Sequence, residues 1–274
     1  MIDAADLREL ARGAALVGAA EVRQRGADRA LEVEGKGLPG DWVTQTDVAS
    51  ELAIEAFLAT RGPAIAFHGE ETGGPGEGLR WVVDPLDGTT NFVHGFPAVG
   101  VSVALVDDDR VLAGAIAAPF LGDVWHAVRG EGAVWERAGG AIEPCRVGRR
   151  DAAQAVVATG FPFRRKERLP RYLRAMTTAL ERFEDLRRPG AACLDLAWVA
   201  CGVFDGFFEL GLSAWDVAAG GLLVTEAGGT VTDWAGGGDF LTGDILAAPS
   251  AVHAQLIRIA SASAADPDEL REQG

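Results

Sequence analysis

Residues 81–92 read WVVDPLDGTTNF, which sets Trp81, Val82 and Val83 directly against Asp84 and Asp87. The apolar run is a buried-looking strand, and two acidic residues three positions apart close it. Asp-Pro and Asp-Gly both punctuate loops, so one reading is a plain turn. The other is a cation site facing a phosphate. Everything else in the chain bears on which of the two it is.

The segments around this motif predict an alternation of elements. Residues 3–25 have the spacing of an amphipathic helix, with Leu7, Leu10, Ala14 and Val17 on one face and Gly26 as its stop. Residues 33–42 are rich in glycine and predict a loop or hairpin. Asp47 is placed to cap a second helix that Gly62-Pro63 ends. Strands are expected at 64–68 and 80–84, then at 98–106 and 110–119 around the turn Asp107-Asp108-Asp109, and at 123–129. After residue 145 strands at 154–160, 205–210, 229–234 and 244–249 alternate with helices at 167–183, 191–202 and 214–227. That pattern predicts an α/β second half.

Acidic residues recur where open α/β proteins build sites, near strand ends and helix starts. Glu70 and Glu71 follow the strand at 64–68, and Asp216 opens an apolar helix. Each has a structural explanation alone, as a loop pair or a helix cap. Together they would repel one another unless a cation lay among them. Carboxylates are hard oxygen ligands that suit Mg²⁺ or Mn²⁺. The scattered histidines give no second metal site, and His68 and His94 are expected to pack or hydrogen-bond. Gly88 and Thr89 begin a helical segment whose amides suit a phosphate, and the Thr89 hydroxyl with Glu70 suits the orientation of an attacking water. A phosphate-binding lysine loop is missing, so hydrolysis fits better than phosphoryl transfer to an acceptor.

Composition removes other classes. The chain has 274 residues, 40 acidic against 25 basic, and a formal net charge of -15. It lacks the basic footprint of a general nucleic-acid binder. Cys145, Cys193 and Cys201 form no CxxC pair, which predicts reduced thiols, the last two within the core. The charged N-terminus shows no signal peptide, and no run of 18 apolar residues predicts a membrane span. The expectation is a soluble cytoplasmic protein.

With these residues in place, the chain resembles the inositol monophosphatase family, a branch of the lithium-sensitive, Mg²⁺-dependent sugar-phosphate phosphatases. The resemblance rests on GEE at 69–71, WVVDPLDGTTNFVHGFP at 81–97 and WDVAAGGLLVTEAGG at 215–229, with ATGFPF at 158–163 and the segment 187–212 similar to bacterial members. It covers nearly the whole chain. It implies a mixed α+β and α/β fold, a layered α-β-α-β-α sandwich forming a single unit over 1–274. The approximate halves are 1–145, with an antiparallel sheet, and 146–274, of α/β type. A homodimer is also implied. On the family pattern Glu70, Asp84, the Leu86 carbonyl, Asp87 and Asp216 hold Mg²⁺, and Glu70, Thr89 and Asp47 form the catalytic group. Asp87, Gly88, Thr89, Ala192, Glu209 and Asp216 bind a phosphorylated polyol or sugar, and Lys36 lies in a loop that closes over the site. DWVTQTD stands where DLVTEAD is common, with Asp47 retained.

The resemblance implies an inositol-1-monophosphatase with some promiscuity. Fructose-1,6-bisphosphatase and histidinol-phosphate phosphatase activities are the alternatives within the family, together with a transcription-associated interaction role. Thr90 and Asn91 stand where adenosine 3′,5′-bisphosphate phosphatases commonly carry lysine and glutamate. The DPLDGT motif only superficially resembles the DxDGT of haloacid-dehalogenase phosphatases, whose aspartates sit two apart, so no covalent phospho-enzyme is expected.

Overall fold

The computed structural model describes residues 3–26, 33–35, 42–163 and 165–264. Helix α1 (Ala4–Gly26) precedes a short antiparallel pair, β1 (Val33–Gly35) with β2 (Trp42–Thr44), and then α2 (Gln45–Arg61). One sheet follows in chain order: β3 (Ala66–Gly69), β4 (Leu79–Asp87), β5 (Gly100–Asp107), β6 (Arg110–Ala117), β7 (Val124–Val128), β8 (Ala133–Glu136) and β9 (Ile142–Pro144). A short helix, α3 (Thr89–His94), interrupts it after β4. The sheet is antiparallel as expected except at one edge, where β3 lies parallel to β4.

The remaining elements are β10 (Val156–Thr159), α4 (Leu169–Arg182), β11 (Asp185–Arg187), α5 (Ala192–Ala200), β12 (Gly206–Glu209), α6 (Ala214–Glu226), β13 (Thr230–Thr232), β14 (Ile245–Ala248) and α7 (Ser250–Ala264). Their strands form a second sheet in the order β11-β10-β12-β14-β13. It is parallel among the first three strands and antiparallel from β12 onward. Strands β8, β9 and β11 and helix α7 are not among the elements expected from the sequence.

Side-chain alternation explains the layering. In β4, Trp81 and Val83 join a core with Leu10, Ala14 and Val22 of α1 and Ile54 of α2, whereas Val82 faces a second core with α5 and α6. The same period of two divides the other sheet. Phe207, Ile245 and Ala247 join the second core, and Phe208, Leu246 and Ala248 pack against Tyr172 of α4 and Leu256 of α7. The stack is therefore α1/α2, first sheet, α5/α6, second sheet, α4/α7, which is the expected α-β-α-β-α sandwich. Helix α6 is buried on every side from Asp216 to Val224, which is why its sequence is apolar all round. Helix α1 turns Ala11, Ala15 and Gly18 most directly to the core; Val17, expected there, is only half-buried. Among the described residues no helix is long and apolar enough to cross a membrane.

Helix α2 corrects one expectation. Its N-cap is Thr44, whose hydroxyl oxygen accepts the Thr46 N–H at 3.1 Å. Asp47 is the reciprocal third residue of a capping box, accepting the Thr44 N–H at 2.9 Å. Its other oxygen stays available to the site described below.

Close approach of α6 to the first sheet depends on Gly114. A Cβ built there would lie 2.9 Å from the Ala219 Cα, a backbone atom that cannot swing aside. Gly114→Val should therefore cost roughly 1–3 kcal/mol through overpacking, or about 2–4 °C of thermal midpoint per kcal/mol for a chain of this size. Gly139→Val, where a Cβ meets nothing within 4 Å, is the control and should leave the midpoint nearly unchanged in a thermal melt.

Candidate active site

Residues three apart face opposite sides of a regular strand, so Asp84 and Asp87 need a local irregularity to act together. The structure supplies one. Asp84 pairs with Ser102 and Asp87 with Gly100, so β4 carries an extra residue between them. Pro85, which has no N–H to lose, sits in this bulge, and its carbonyl accepts the Ser50 hydroxyl at 2.8 Å. Asp84 Oδ1 accepts the Leu86 N–H at 2.9 Å. The motif is thus a strand irregularity, not a plain turn.

Asp216 completes the cluster from α6. Carboxylate oxygens of Asp84, Asp87 and Asp216 all lie within 4.8 Å of one another. Asp216 is held there as the third residue of another capping box, with Oδ2 accepting the Ser213 N–H at 2.7 Å. Asp87 Oδ2 accepts the Cys193 N–H at 2.7 Å, tying the first sheet to the start of α5. Ser102 Oγ donates to the Trp215 carbonyl at 3.0 Å and ties it to α6.

Glu70 enters from the turn after β3. Its N–H donates to the Val83 carbonyl at 3.1 Å. The rest of that turn hangs on Glu51, a buried α2 carboxylate that accepts the N–H groups of Glu71 at 3.0 Å and Thr72 at 2.8 Å. Gly69 makes room for it, since a Cβ there would lie 2.3 Å from the Glu51 carboxylate. Thr89 begins α3 behind Gly88, whose left-handed φ of 87° and tight approach to the Ala98 carbonyl require glycine. The Thr89 hydroxyl lies 3.3 Å from Asp47 Oδ1 and 3.2 Å from the Leu86 carbonyl. It has one proton to donate to these two acceptors.

Glu70, Asp84, Leu86, Asp87, Thr89 and Asp216 line a cavity of about 590 Å³ together with Gly88, Ala192, Glu209 and Asp195, whereas Asp47 and Glu51 stand behind this lining. The far wall comes from the second sheet. Glu209 ends β12, and a Cβ on Gly160 would lie 2.1 Å from its carboxylate oxygens. Arg188 stands at the rim, its guanidinium 5.3 and 5.5 Å from the ring centres of Phe161 and Phe163. Glu71 is not among the lining residues, and Lys36 lies outside the described residues. His68 packs as expected, with Nδ1 2.8 Å from the Pro75 carbonyl and its ring 5.7 Å from Trp215.

Electrostatics follow from this crowding. Burial, then Glu70, Asp87 and Asp216, push the Asp84 carboxyl well above its ordinary range. Burial also raises Asp47, against the opposing bonds from Thr44. Burial, then Glu209 and Asp87, raise Asp195. Glu51, Asp195 and Arg188 were not anticipated as site residues. Asp195 carried a legible signal, a lone acid inside the apolar run AACLDLAWVA.

Because the folded-state pKa of Asp84 is raised, the stability of its protonated form is complete at low pH and lost as pH rises through that value. In chelator, the wild-type thermal midpoint should fall as pH rises above the ordinary carboxylate range towards the raised value, more steeply than that of Asp84→Asn, which keeps an acceptor for Leu86. Parallel pH profiles would show that Asp84 is not strained by its neighbours.

The chain matches the inositol monophosphatase family over residues 3–265. It is 39% identical over 232 residues to the Nus factor SuhB of Haemophilus influenzae, covering 83% of this chain and 85% of that one. With the inositol-1-monophosphatase of Mesorhizobium japonicum it shares 38% identity over 263 residues, 94% of this chain and 97% of the other. The crystal structure of extragenic suppressor protein SuhB from Bartonella henselae superposes with a TM-score of 0.85 at 36% identity, covering 92% of this chain and 97% of that chain. On its fold, its matched length and its relatives, the chain belongs to the inositol monophosphatase family.

Proposed function

We propose that the chain is a Mg²⁺-dependent phosphomonoester hydrolase acting on phosphorylated polyols, with inositol 1-phosphate first among them. The observation that carries the reading is the trio Asp84, Asp87 and Asp216, whose oxygens crowd within 4.8 Å at the wall of a substrate-sized cavity. The donor set fits the ion. Glu70, Asp84, Asp87, Asp216 and the Leu86 carbonyl offer oxygen only, the chemistry a small hard dication prefers, and their mutual repulsion needs a positive charge for relief. Mg²⁺, when bound, supplies Lewis-acid polarisation of phosphate and makes water a better nucleophile.

The chain's own groups do the rest. Glu70 and Thr89 orient the attacking water, with Asp47 holding the Thr89 hydroxyl and Glu70 as the acceptor for the water's proton. The Gly88 and Thr89 amides hold the phosphate. Ala192 and Glu209 face the leaving alcohol, and Glu209 accepts hydrogen bonds from its hydroxyls. Attack is direct, with no phospho-enzyme. A cytoplasmic homodimer is part of the same reading. A second reading, a transcription-associated role, is favoured by the relatives named Nus factor SuhB; enrichment of transcription proteins in a native-lysate pull-down, undiminished by Asp84→Asn, would support it.

A phosphate-release panel tests the primary reading, with inositol 1-phosphate, fructose 1,6-bisphosphate and histidinol phosphate offered with Mg²⁺ and with excess chelator. Turnover should be greatest on inositol 1-phosphate and vanish in chelator; full activity without the cation would remove the metal. Thr89→Ala should lower kcat by about 10²–10⁴-fold with little change in KM, because the hydroxyl acts on the water in the transition state. Steady-state kinetics in which only KM moves would make Thr89 a phosphate ligand alone.

A further inference from the structure

Asp195 has no part in the scheme above, yet it lines the same cavity. It lies in the first turn of α5, is 1% exposed, and sits between buried Leu194 and Leu196 in an otherwise apolar helix. Its Oδ1 is buried and has no hydrogen-bond partner. A buried polar atom without a partner is costly, and a carboxylate oxygen more so than a neutral one. A ligand entering the cavity can supply what the protein does not.

The surroundings specify what kind of group that is. Glu209 and Asp87 act on Asp195 with like charge, and Arg188 offsets them only in part from its place against Phe161 and Phe163. Burial and these neighbours favour the neutral carboxyl, which both donates and accepts. A hydroxyl matches that pattern, because it too donates and accepts. An ammonium offers donors alone.

We propose that Asp195 is a specificity-determining residue, hydrogen-bonded through its carboxyl to a hydroxyl of the leaving alcohol beside the one held by Glu209. The cavity then selects phosphomonoesters of alcohols with further hydroxyls over those of plain alcohols. This rests on the hydrolase reading above and names the group that the reading leaves unassigned.

The test compares inositol 1-phosphate with cyclohexyl phosphate, which keeps the ring and lacks the hydroxyls, and with histidinol phosphate, which carries an ammonium, for wild type, Asp195→Leu and Asp195→Asn with Mg²⁺. Wild type should prefer inositol 1-phosphate in kcat/KM. That preference should fall by about tenfold or more in Asp195→Leu, and by less in Asp195→Asn, which retains an acceptor. Should the leucine variant fail to fold, the asparagine variant carries the comparison. Equal losses on both esters, or an unchanged preference, would reduce Asp195 to a packing residue. Selective loss on histidinol phosphate instead would make its partner an ammonium and overturn the proposal. A wild type that hydrolyses none of these esters overturns the hydrolase reading itself, and the role of Asp195 with it.

Discussion

Like-charge crowding at the C-terminal end of β4 is what the rest of the site is built to withstand. Two unit charges about 4 Å apart repel by on the order of 4 kcal/mol at an effective dielectric of about 20, and Asp84, Asp87 and Asp216 hold oxygens within 4.8 Å of one another. No packing gain comes from gathering acids in this way, so the surrounding fold must hold them. A bulge in β4 brings Asp84 and Asp87 to one place, a capping box holds Asp216, and the amide of Cys193 anchors Asp87. The bond from Cys193 to Asp87 also joins the first sheet to α5, so the site and the fold share that fastening.

The layered architecture separates the two ends of the cavity. Asp84 and Asp87 come from the first sheet and Glu70 from the turn after β3, Glu209 comes from the second sheet, and Asp195 and Asp216 come from the helices between them. On the proposed reading, the reacting end and the end that faces the leaving group belong to different sheets. Small residues hold the spacing: Gly114 lets α6 approach β6, and Gly220 lies against Leu196 where α5 meets α6. A shift of α6 by a fraction of an ångström would move Asp216 relative to Asp84.

Much of this was legible in the sequence because the chemistry is concentrated in contiguous segments. The strand before Asp84, the glycine turn at Gly88 and the apolar helix behind Asp216 all read correctly, as did the layered fold. What escaped has physical reasons. Strands β9 and β11 have three residues each, too few to display a period of two. Helix α7 did carry a signal, with Val252, Leu256, Ile259 and Ala260 at helical spacing, but it was not distinguished from the tail. Glu51 contacts Glu71 and Thr72 across 20 and 21 positions, and local pattern cannot reveal such a contact. Asp47 was read as a cap because it lies near a helix start, whereas its neighbour Thr44 caps and leaves Asp47 to face Thr89.

The central claim, that the acidic cluster is a divalent-cation site, is tested most directly by Mg²⁺ titration calorimetry on the phosphate-free protein. Wild type should bind Mg²⁺ with measurable heat and gain thermal stability as the ion saturates. Asp84→Asn and Asp216→Asn, folded by circular dichroism, should each lose most of that affinity. Unchanged Mg²⁺ binding in both variants would contradict the account and leave the crowding of these carboxylates without its counter-charge.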